Sequence, residues 1–338
     1  MRYLVTGHTG FKGAWLTLML VERGHEVCGL SLDPETGSLF EVARLGELME
    51  LDIRGDIRDA SVVRDAVATA NPDVVIHMAA QPLVRESYAD PRWTMETNVM
   101  GTFNVLEAVQ SASQASAQLI ITTDKVYRNV NQEFGYIEDD ALGGHDPYSA
   151  SKAMADLLTQ SWVASFDTCP TAIARAGNVI GGGDVSTDRL MPDLLRSFAT
   201  GQPAILRAPE AVRPWQHVLD CLNGYLLLVD GILERGLGGS WNFGPDDSSM
   251  VSVGQVADIT ASLWGDRASW SCPPGEHPHE AHLLTLDASR ARGELGWADR
   301  LSLEQSIAWT VEWERKRLAG ADPRSITIEQ IRHFAVDL

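Results

Sequence analysis

Tyr3-Leu4-Val5-Thr6-Gly7-His8-Thr9-Gly10-Phe11-Lys12-Gly13 opens the chain with an apolar run and a glycine-punctuated loop, and an apolar stretch from Ala14 to Arg23 follows. The order reads as a buried parallel strand, a tight turn and a helix. Glycines at this spacing let the backbone turn sharply and approach a pyrophosphate. The helix start then supplies unpaired amides and a positive dipole end. Three glycines in a loop say little alone. A second strand, Val27–Leu32, ends in Asp33, 20 positions beyond Gly13. An acidic residue there accepts the ribose hydroxyls of the adenosine half of a dinucleotide. Asp33 would repel a 2′-phosphate, and no Arg or Lys follows until Arg44. The pattern therefore predicts NAD rather than NADP, although Asp33-Pro34 also fits a plain turn opener.

Outward from this unit, strand and helix keep alternating. Strands are expected at Asp52–Asp56, Val74–Met78, Leu119–Thr122 and Thr171–Ala174, with helices at Asp59–Ala70, Pro91–Ser113 and Tyr148–Phe166. That alternation predicts an α/β protein with a doubly wound parallel sheet. Asp56 and Ile57 are placed to flank an adenine edge, and Ala79 and Ala80 leave room for the nicotinamide side. Past Gly177 the alternation lapses into short segments: helices at Leu190–Thr200, His217–Leu233 and Val253–Leu263, a Pro/His-rich loop at Pro273–His282, and a last long helix at Ser302–Leu318. The expected division is a cofactor-binding domain over 1–176, with later returns to the sheet near 213–245, and a smaller C-terminal substrate-binding lobe over 177–338.

Chemistry concentrates between Thr122 and Lys152. An apolar strand runs into Thr122-Thr123-Asp124-Lys125, and Tyr148-Ser149-Ala150-Ser151-Lys152 follows. The i, i+4 spacing puts Tyr148 and Lys152 on one helix face. An ammonium beside a phenol favours phenolate and lowers a pKa that is ordinarily ~10. Such a phenol is a general base for an alcohol, as nicotinamide oxidation of a sugar hydroxyl requires. A surface helix with one aromatic and one charge is the plain reading of the pair, and Asp124-Lys125 alone could be a salt-bridged strand end.

Composition narrows the class. Lys and Arg total 27 against 46 Asp and Glu, a net charge of −19, which argues against a general nucleic-acid binder or an anionic-membrane surface protein. Four cysteines without a CxxC pair suit a reducing cytoplasm and argue against a disulfide framework or a zinc site. No signal peptide is visible, because the first strand begins at Tyr3. The apolar runs Trp15–Val21 and Tyr225–Val229 are too short to cross a bilayer. His277, His279 and His282 invite a metal reading, but no carboxylate–histidine pattern accompanies them, and no metal is expected.

Together these residues resemble the extended short-chain dehydrogenase/reductases, on Gly7–Gly13, Asp33, Asp56, Asn98, Thr123 and the Tyr148/Lys152 pair. Within that group the chain resembles the CDP-glucose 4,6-dehydratases. The strings that carry this are Gly7–Gly13, Ala79-Ala80-Gln81-Pro82-Leu83-Val84-Arg85, Asn98-Val99-Met100-Gly101-Thr102, Asp146-Pro147-Tyr148-Ser149, Gly177-Asn178-Val179-Ile180-Gly181-Gly182-Gly183-Asp184, Arg213-Pro214-Trp215-Gln216-His217-Val218 and His277–His282. They run nearly the length of the chain in order.

The resemblance implies a Rossmann domain that holds NAD through Gly7, Thr9, Gly10, Phe11, Lys12, Gly13, Asp33, Asp56, Ile57, Ala79, Ala80, Gln81, Asn98, Tyr148 and Lys152. It also implies a redox-neutral elimination on a nucleotide sugar. Tyr148 takes the C4 hydroxyl proton, Thr123 bonds the same oxygen, and Asp124 protonates the departing C6 hydroxyl. Lys125 stands where the dTDP-glucose enzymes carry Glu as the C5 base. A lysine at its usual ~10.4 is a poor base at neutral pH. Burial beside Lys152 and the cofactor would lower that value; alternatively Lys125 stays charged and stabilises the enolate. For the substrate the expected contacts are Arg213, Arg189, Arg175, Arg85, Asn178 and His217. Helices Pro91–Ser113 and Tyr148–Phe166 resemble the pair that builds a dimer's four-helix interface in this group, which implies a homodimer or a dimer of dimers. Two other readings share much of the pattern: a nucleotide-sugar 4-epimerase or decarboxylase, which needs no acid at C6, and a catalytically silent cofactor sensor, which needs no Thr123, Tyr148 or Lys152.

Overall fold

In the computed structural model, β1 (Arg2–Thr6) lies inside a seven-stranded sheet and pairs in parallel with β2 (Glu26–Ser31) on one side. The description covers residues 1–111, 115–132, 134–245, 250–265, 267–272 and 284–336. The remaining strands are β3 (Leu51–Arg54), β4 (Val74–His77), β5 (Ala117–Ile121), β6 (Thr171–Ala176), β7 (Asn178–Ile180), β8 (Ala204–Ile205), β9 (Val212–His217), β10 (Gly239–Phe243), β11 (Met250–Ser252) and β12 (Trp270–Ser271). The main sheet runs β10-β6-β5-β4-β1-β2-β3, every pair parallel. The expected doubly wound sheet is present.

Its strands are buried on both faces, which is why they read as unbroken apolar runs: every residue of β4, β5 and β6 is buried. Strand order reverses between β1 and β4. Crevices beyond the carboxyl ends of such strands are where ligands bind in open α/β sheets. Register places Thr6 of β1 opposite Leu30 of β2 and His77 of β4, so the loop after β1 opens directly over that crevice.

Helix Pro147–Ser165, which carries Tyr148 and Lys152, starts where the local chemistry dictates. Asp146 accepts from the Ser149 amide at 2.8 Å as N-cap, and Pro147 occupies the first turn, where its missing amide costs nothing. The stretch expected as one helix at Pro91–Ser113 begins at Pro91, widens to a π turn at Glu96–Met100 around Asn98, and continues as Gly101–Ser111.

After β6 the chain builds a three-stranded sheet, β11-β9-β7, so Val212–His217 lies outside the main sheet and only Gly239–Phe243 rejoins it. Helix Val218–Arg235 nonetheless belongs to the main core, where Leu222, Tyr225 and Leu226 pack with β1, β5 and β6 residues. Ser302–Leu318 is not the last helix. Pro323–Val336 follows, tied back by Arg324 to the Ala43 carbonyl at 2.7 Å and by Thr327 to Trp313 Nε1 at 2.9 Å. Its amphipathic signal is weak in sequence because these anchors are polar and distant along the chain. The histidine-bearing loop Pro273–His282 lies outside the described residues, and no described helix is long and apolar enough to cross a membrane.

Candidate active site

The loop after β1 is a cradle built from absent side chains. Gly7 has φ +76°, and a Cβ there would meet the Ala79 amide at 2.7 Å. A Cβ on Gly13 would come within 2.1 Å of the Gly7 carbonyl, so only glycine lets the helix start pack so closely on the turn. Gly10 caps helix Phe11–Glu22 with no side-chain bond, leaving its first amides for another acceptor. Thr9 Oγ1 bonds Ser31 Oγ at 2.6 Å and the Leu32 carbonyl at 3.1 Å, fixing the loop to the end of β2. Asp33 is exposed just beyond. These features fit the diphosphate and adenosine half of a dinucleotide.

Other expected cofactor contacts turn out to be braces. The Gln81 side chain is spent on Leu83 and Thr94, and Asn98 bonds both backbone groups of Gln81 and the Ser151 hydroxyl at 2.8 Å. They hold the Ala79–Gln81 segment against helix Pro147–Ser165. Ile57 is buried against Gly101, and Asp56 is already chelated by Arg58 at 2.6 and 2.9 Å. That pairing holds the Asp56 carboxyl below its usual range. Lys12 donates to Tyr225 Oη at 3.1 Å, a contact 213 positions away that the sequence gives no means of pairing.

Across the crevice, β5 ends at Ile121 and the chain turns through Thr122–Tyr127. Lys152 Nζ donates to the Ile121 carbonyl at 2.8 Å. Thr123 Oγ1 donates to Asp124 Oδ1 at 2.8 Å, and the Thr123 hydroxyl acts on the Tyr148 phenol to lower its pKa. Lys125 Nζ lies 3.5 Å from Asp124 Oδ1. The five residues expected to do chemistry thus converge at one end of β5.

Electrostatics departs from expectation in one respect. Burial pushes the Tyr148 phenol up to about 12, outweighing the Thr123 hydrogen bond and the Arg189 charge that pull it down. Burial, and then the Lys12 charge, pull Lys152 down to about 7. In the protein by itself desolvation, not the i, i+4 ammonium, sets the phenol. Nor is Lys125 buried as expected; its side chain is 30% exposed.

Two substrate contacts expected from sequence are corrected. Arg175 is fully buried, and all its donors are taken by Asp156, Tyr127, Glu138 and Ser240. His217 is also fully buried, its ring set edge-on between Trp15 and Trp309 while Nδ1 accepts from the Leu219 amide at 3.3 Å. Burial lowers it to about 3, so it is a neutral helix cap rather than an anion ligand. Arg189 and Arg213 are half-buried, Asn178 is half-buried at the start of β7, and Arg85 is exposed and paired with Asp188 at 3.3 Å. Sequence reading missed Asp156 and Tyr225. Asp156 had a signal, being i+8 from Tyr148 on the same helix face.

The model of the GDP-mannose 4,6 dehydratase family matches residues 4–310, spanning both the cradle and the Tyr148 helix. The chain belongs to this family. Among its relatives a CDP-glucose 4,6-dehydratase of Salmonella typhimurium is 47% identical over 95% of this chain and 92% of its own length. A dTDP-glucose 4,6-dehydratase of Xanthomonas campestris pv. campestris is 29% identical over 92% of each. Among solved structures, the dTDP-glucose 4,6-dehydratase of Streptomyces venezuelae with NAD bound superposes with a TM-score of 0.83 at 26% identity, covering 96% of this chain and 100% of that one. A UDP-glucose 4-epimerase of Thermotoga maritima superposes at 0.84 but with 22% identity, over 94% of this chain and all of its own, and shows the fold alone. The sheet described above is thus common to this chain and both solved structures.

Proposed function

We propose that this chain is a CDP-glucose 4,6-dehydratase, an NAD-dependent hydro-lyase that forms CDP-4-dehydro-6-deoxy-glucose and water for deoxysugar biosynthesis. The convergence of Thr123, Asp124 and Lys125 with Tyr148 and Lys152 carries the reading, with the 47% relative supplying the nucleotide. NAD held in the glycine cradle supplies the hydride acceptor at C4 and the donor at C6, and its nicotinium charge adds to Lys152 in favouring phenolate. Tyr148 Oη takes the C4 hydroxyl proton while Thr123 Oγ1 holds the same oxygen. Lys152, anchored on the Ile121 carbonyl, stands one turn along the helix from the phenol and favours phenolate in its charged form. Once C4 is a ketone the C5 hydrogen is acidic; Lys125 removes it and returns it to C5 when hydride reaches C6. Asp124, as the acid, gives its proton to the C6 hydroxyl, which leaves as water. The pairing of an acid with a base beside Tyr148 turns an oxidation into an elimination.

Arg213, Arg189 and Asn178 face the substrate's diphosphate from the segment after Gly177, and Arg85 reaches toward the sugar end; the substrate lobe is thus drawn from 177–338 on a domain of 1–176. Four free cysteines support a cytoplasmic setting. Met154, Leu157, Val163 and Phe166 are exposed along the Tyr148 helix, an apolar face that suits a second copy of the chain. A monomeric mass in light scattering would contradict the dimer. For the activity, the test is incubation with CDP-, dTDP-, UDP- and GDP-glucose without added NAD. A 4-keto-6-deoxy product from CDP-glucose supports the reading; turnover of dTDP-glucose with none of CDP-glucose sinks it, and an epimer in place of the keto sugar sinks the dehydratase.

A further inference from the structure

Arg175 stands near the end of β6, and its guanidinium grips Asp156 through two N–H···O bonds of 2.8 Å each. The two side chains are 1% and 0% exposed. Asp156 lies one turn past Lys152 and two past Tyr148, on their face of helix Pro147–Ser165. Its Oδ2 also accepts from Thr122 Oγ1 at 3.1 Å, immediately before Thr123. The other Arg175 donors go to Tyr127 Oη at 2.8 Å, the Glu138 carbonyl at 2.9 Å and Ser240 Oγ at 2.9 Å. Tyr127 closes the turn that carries Asp124 and Lys125, and its own hydroxyl donates to Asn242 Oδ1 at 2.8 Å. One guanidinium therefore ties the Tyr148 helix, the end of β5, the Thr123–Tyr127 turn and β10.

A buried ion pair is a weak source of net stability, because desolvation offsets most of the attraction. What it does supply is geometry: a planar fork with five donors admits one arrangement of its partners. We propose that the Arg175–Asp156 pair is the positioning element of the active site, setting the register of helix Pro147–Ser165 against the Thr122–Tyr127 turn so that Tyr148 and Lys152 stand opposite Thr123, Asp124 and Lys125. The inference rests on those five as the catalytic machinery, and neither Arg175 nor Asp156 touches substrate.

The test is the double variant Arg175→Met/Asp156→Leu, which fills the site with apolar groups of similar volume and leaves no unpaired charge to unfold the core. It is assayed as the NAD-loaded enzyme on whichever nucleoside-diphosphate glucose the wild type turns over, and its crystal structure is determined. Expected are a KM within about threefold of wild type, a kcat lower by roughly 100-fold, and a broken Lys152–Ile121 hydrogen bond between the helix and the end of β5. Arg175→Lys, which keeps the charge but loses the fork, should leave kcat low. A double variant with wild-type kcat and an intact Lys152–Ile121 bond overturns the proposal. So does a raised KM at unchanged kcat, which would return Arg175 to substrate binding. Should the double variant fail to fold, Arg175→Lys, which keeps a cation beside Asp156, supplies the same readings. If the wild type ignores CDP-glucose but turns over another sugar, only the base assignment falls. If it turns over none, the catalytic reading falls, and the crystal structure still decides whether the pair sets Tyr148.

Discussion

Thr123 Oγ1 bonds Asp124 Oδ1 at 2.8 Å, while Asp124 Oδ2 is buried without a partner among the described residues and faces the bare Cα of Gly177. An unpartnered carboxyl oxygen in a buried site is costly, and its position beside the catalytic residues gives it a use. Here it fits an acid waiting for a hydroxyl. Asp124→Asn keeps the shape and loses the proton. In a single turnover with CDP-glucose, reduced nicotinamide should still form while the 4-keto-6-deoxy product falls roughly 10²- to 10⁴-fold. An Asn variant that dehydrates at the wild-type rate removes Asp124 from the mechanism.

Lys125 is half-exposed, with Asp124 as its ion-pair partner. As the C5 base it takes up the C5 proton, a role that Lys125→Met removes and Lys125→Glu can restore with a carboxylate. Deuterium exchange at C5 of CDP-glucose reads the step directly. Exchange that persists undiminished in the Met variant means another group takes that proton.

Tyr148 and Lys152 give a prediction whose sign is fixed by their surroundings. Tyr148 must lose its proton to act, so the rate rises with pH through its pKa. Burial pushes that pKa up, whereas the Thr123 hydrogen bond pulls it down. Thr123→Val should therefore move the acid limb of the kcat profile to higher pH, and Lys152→Met, which deletes the amine one turn away, should move it the same way by less. Each should also lower kcat by roughly 10- to 1,000-fold. A limb that stays in place in both variants belongs to a different group.

Much of this was legible in the sequence because it is local. The strand–glycine–helix unit and the Tyr148/Lys152 spacing each sit within a few residues, and the parallel strands announce themselves as apolar runs such as Val74–His77. What sequence could not show were partners brought from far away. Arg175 looked like a phosphate ligand because its consumption by Asp156, Tyr127, Glu138 and Ser240 depends on packing across four separate segments. His217 misled in the same way, since its indole neighbours Trp15 and Trp309 lie 202 positions before it and 92 after. The phenol's raised pKa was likewise invisible, being a property of burial depth rather than of spacing.

The glycine cradle can be tested without turnover. A Cβ on Gly13 would meet the Gly7 carbonyl at 2.1 Å and His8 Cα at 2.7 Å, both backbone, so neither can rotate away. Gly13→Ala should force the loop outward, destabilise the fold by roughly 1–3 kcal/mol and release NAD from the purified protein. Gly10→Ala is gentler, its nearest neighbour being the Gly7 carbonyl at 3.4 Å, and should fold normally. Equal NAD content in Gly13→Ala and wild type would place the dinucleotide elsewhere.

Asp220 should make stability fall as pH rises. It sits in the first turn of helix Val218–Arg235, where Oδ1 accepts from the Arg300 amide at 2.8 Å and Oδ2 is buried without a partner among the described residues. Burial raises the carboxyl from 3.8 to about 7, with the Asp299 charge adding to it and the Arg300 and Leu301 amides opposing. Between those two values the folded chain keeps a proton that the unfolded chain has released. Its contribution is thus complete below the unfolded pKa and is lost as pH climbs through the folded one. Asp220→Asn keeps the acceptor for Arg300 and cannot ionise. Urea melts at about pH 5 and about pH 8 should show the variant gaining on the wild type at the higher pH, by at most roughly 3 kcal/mol. An unchanged difference between the two pH values would mean that Asp220 is ionised throughout, with its charge met by a partner that the packing of Asp299 and Arg300 does not reveal.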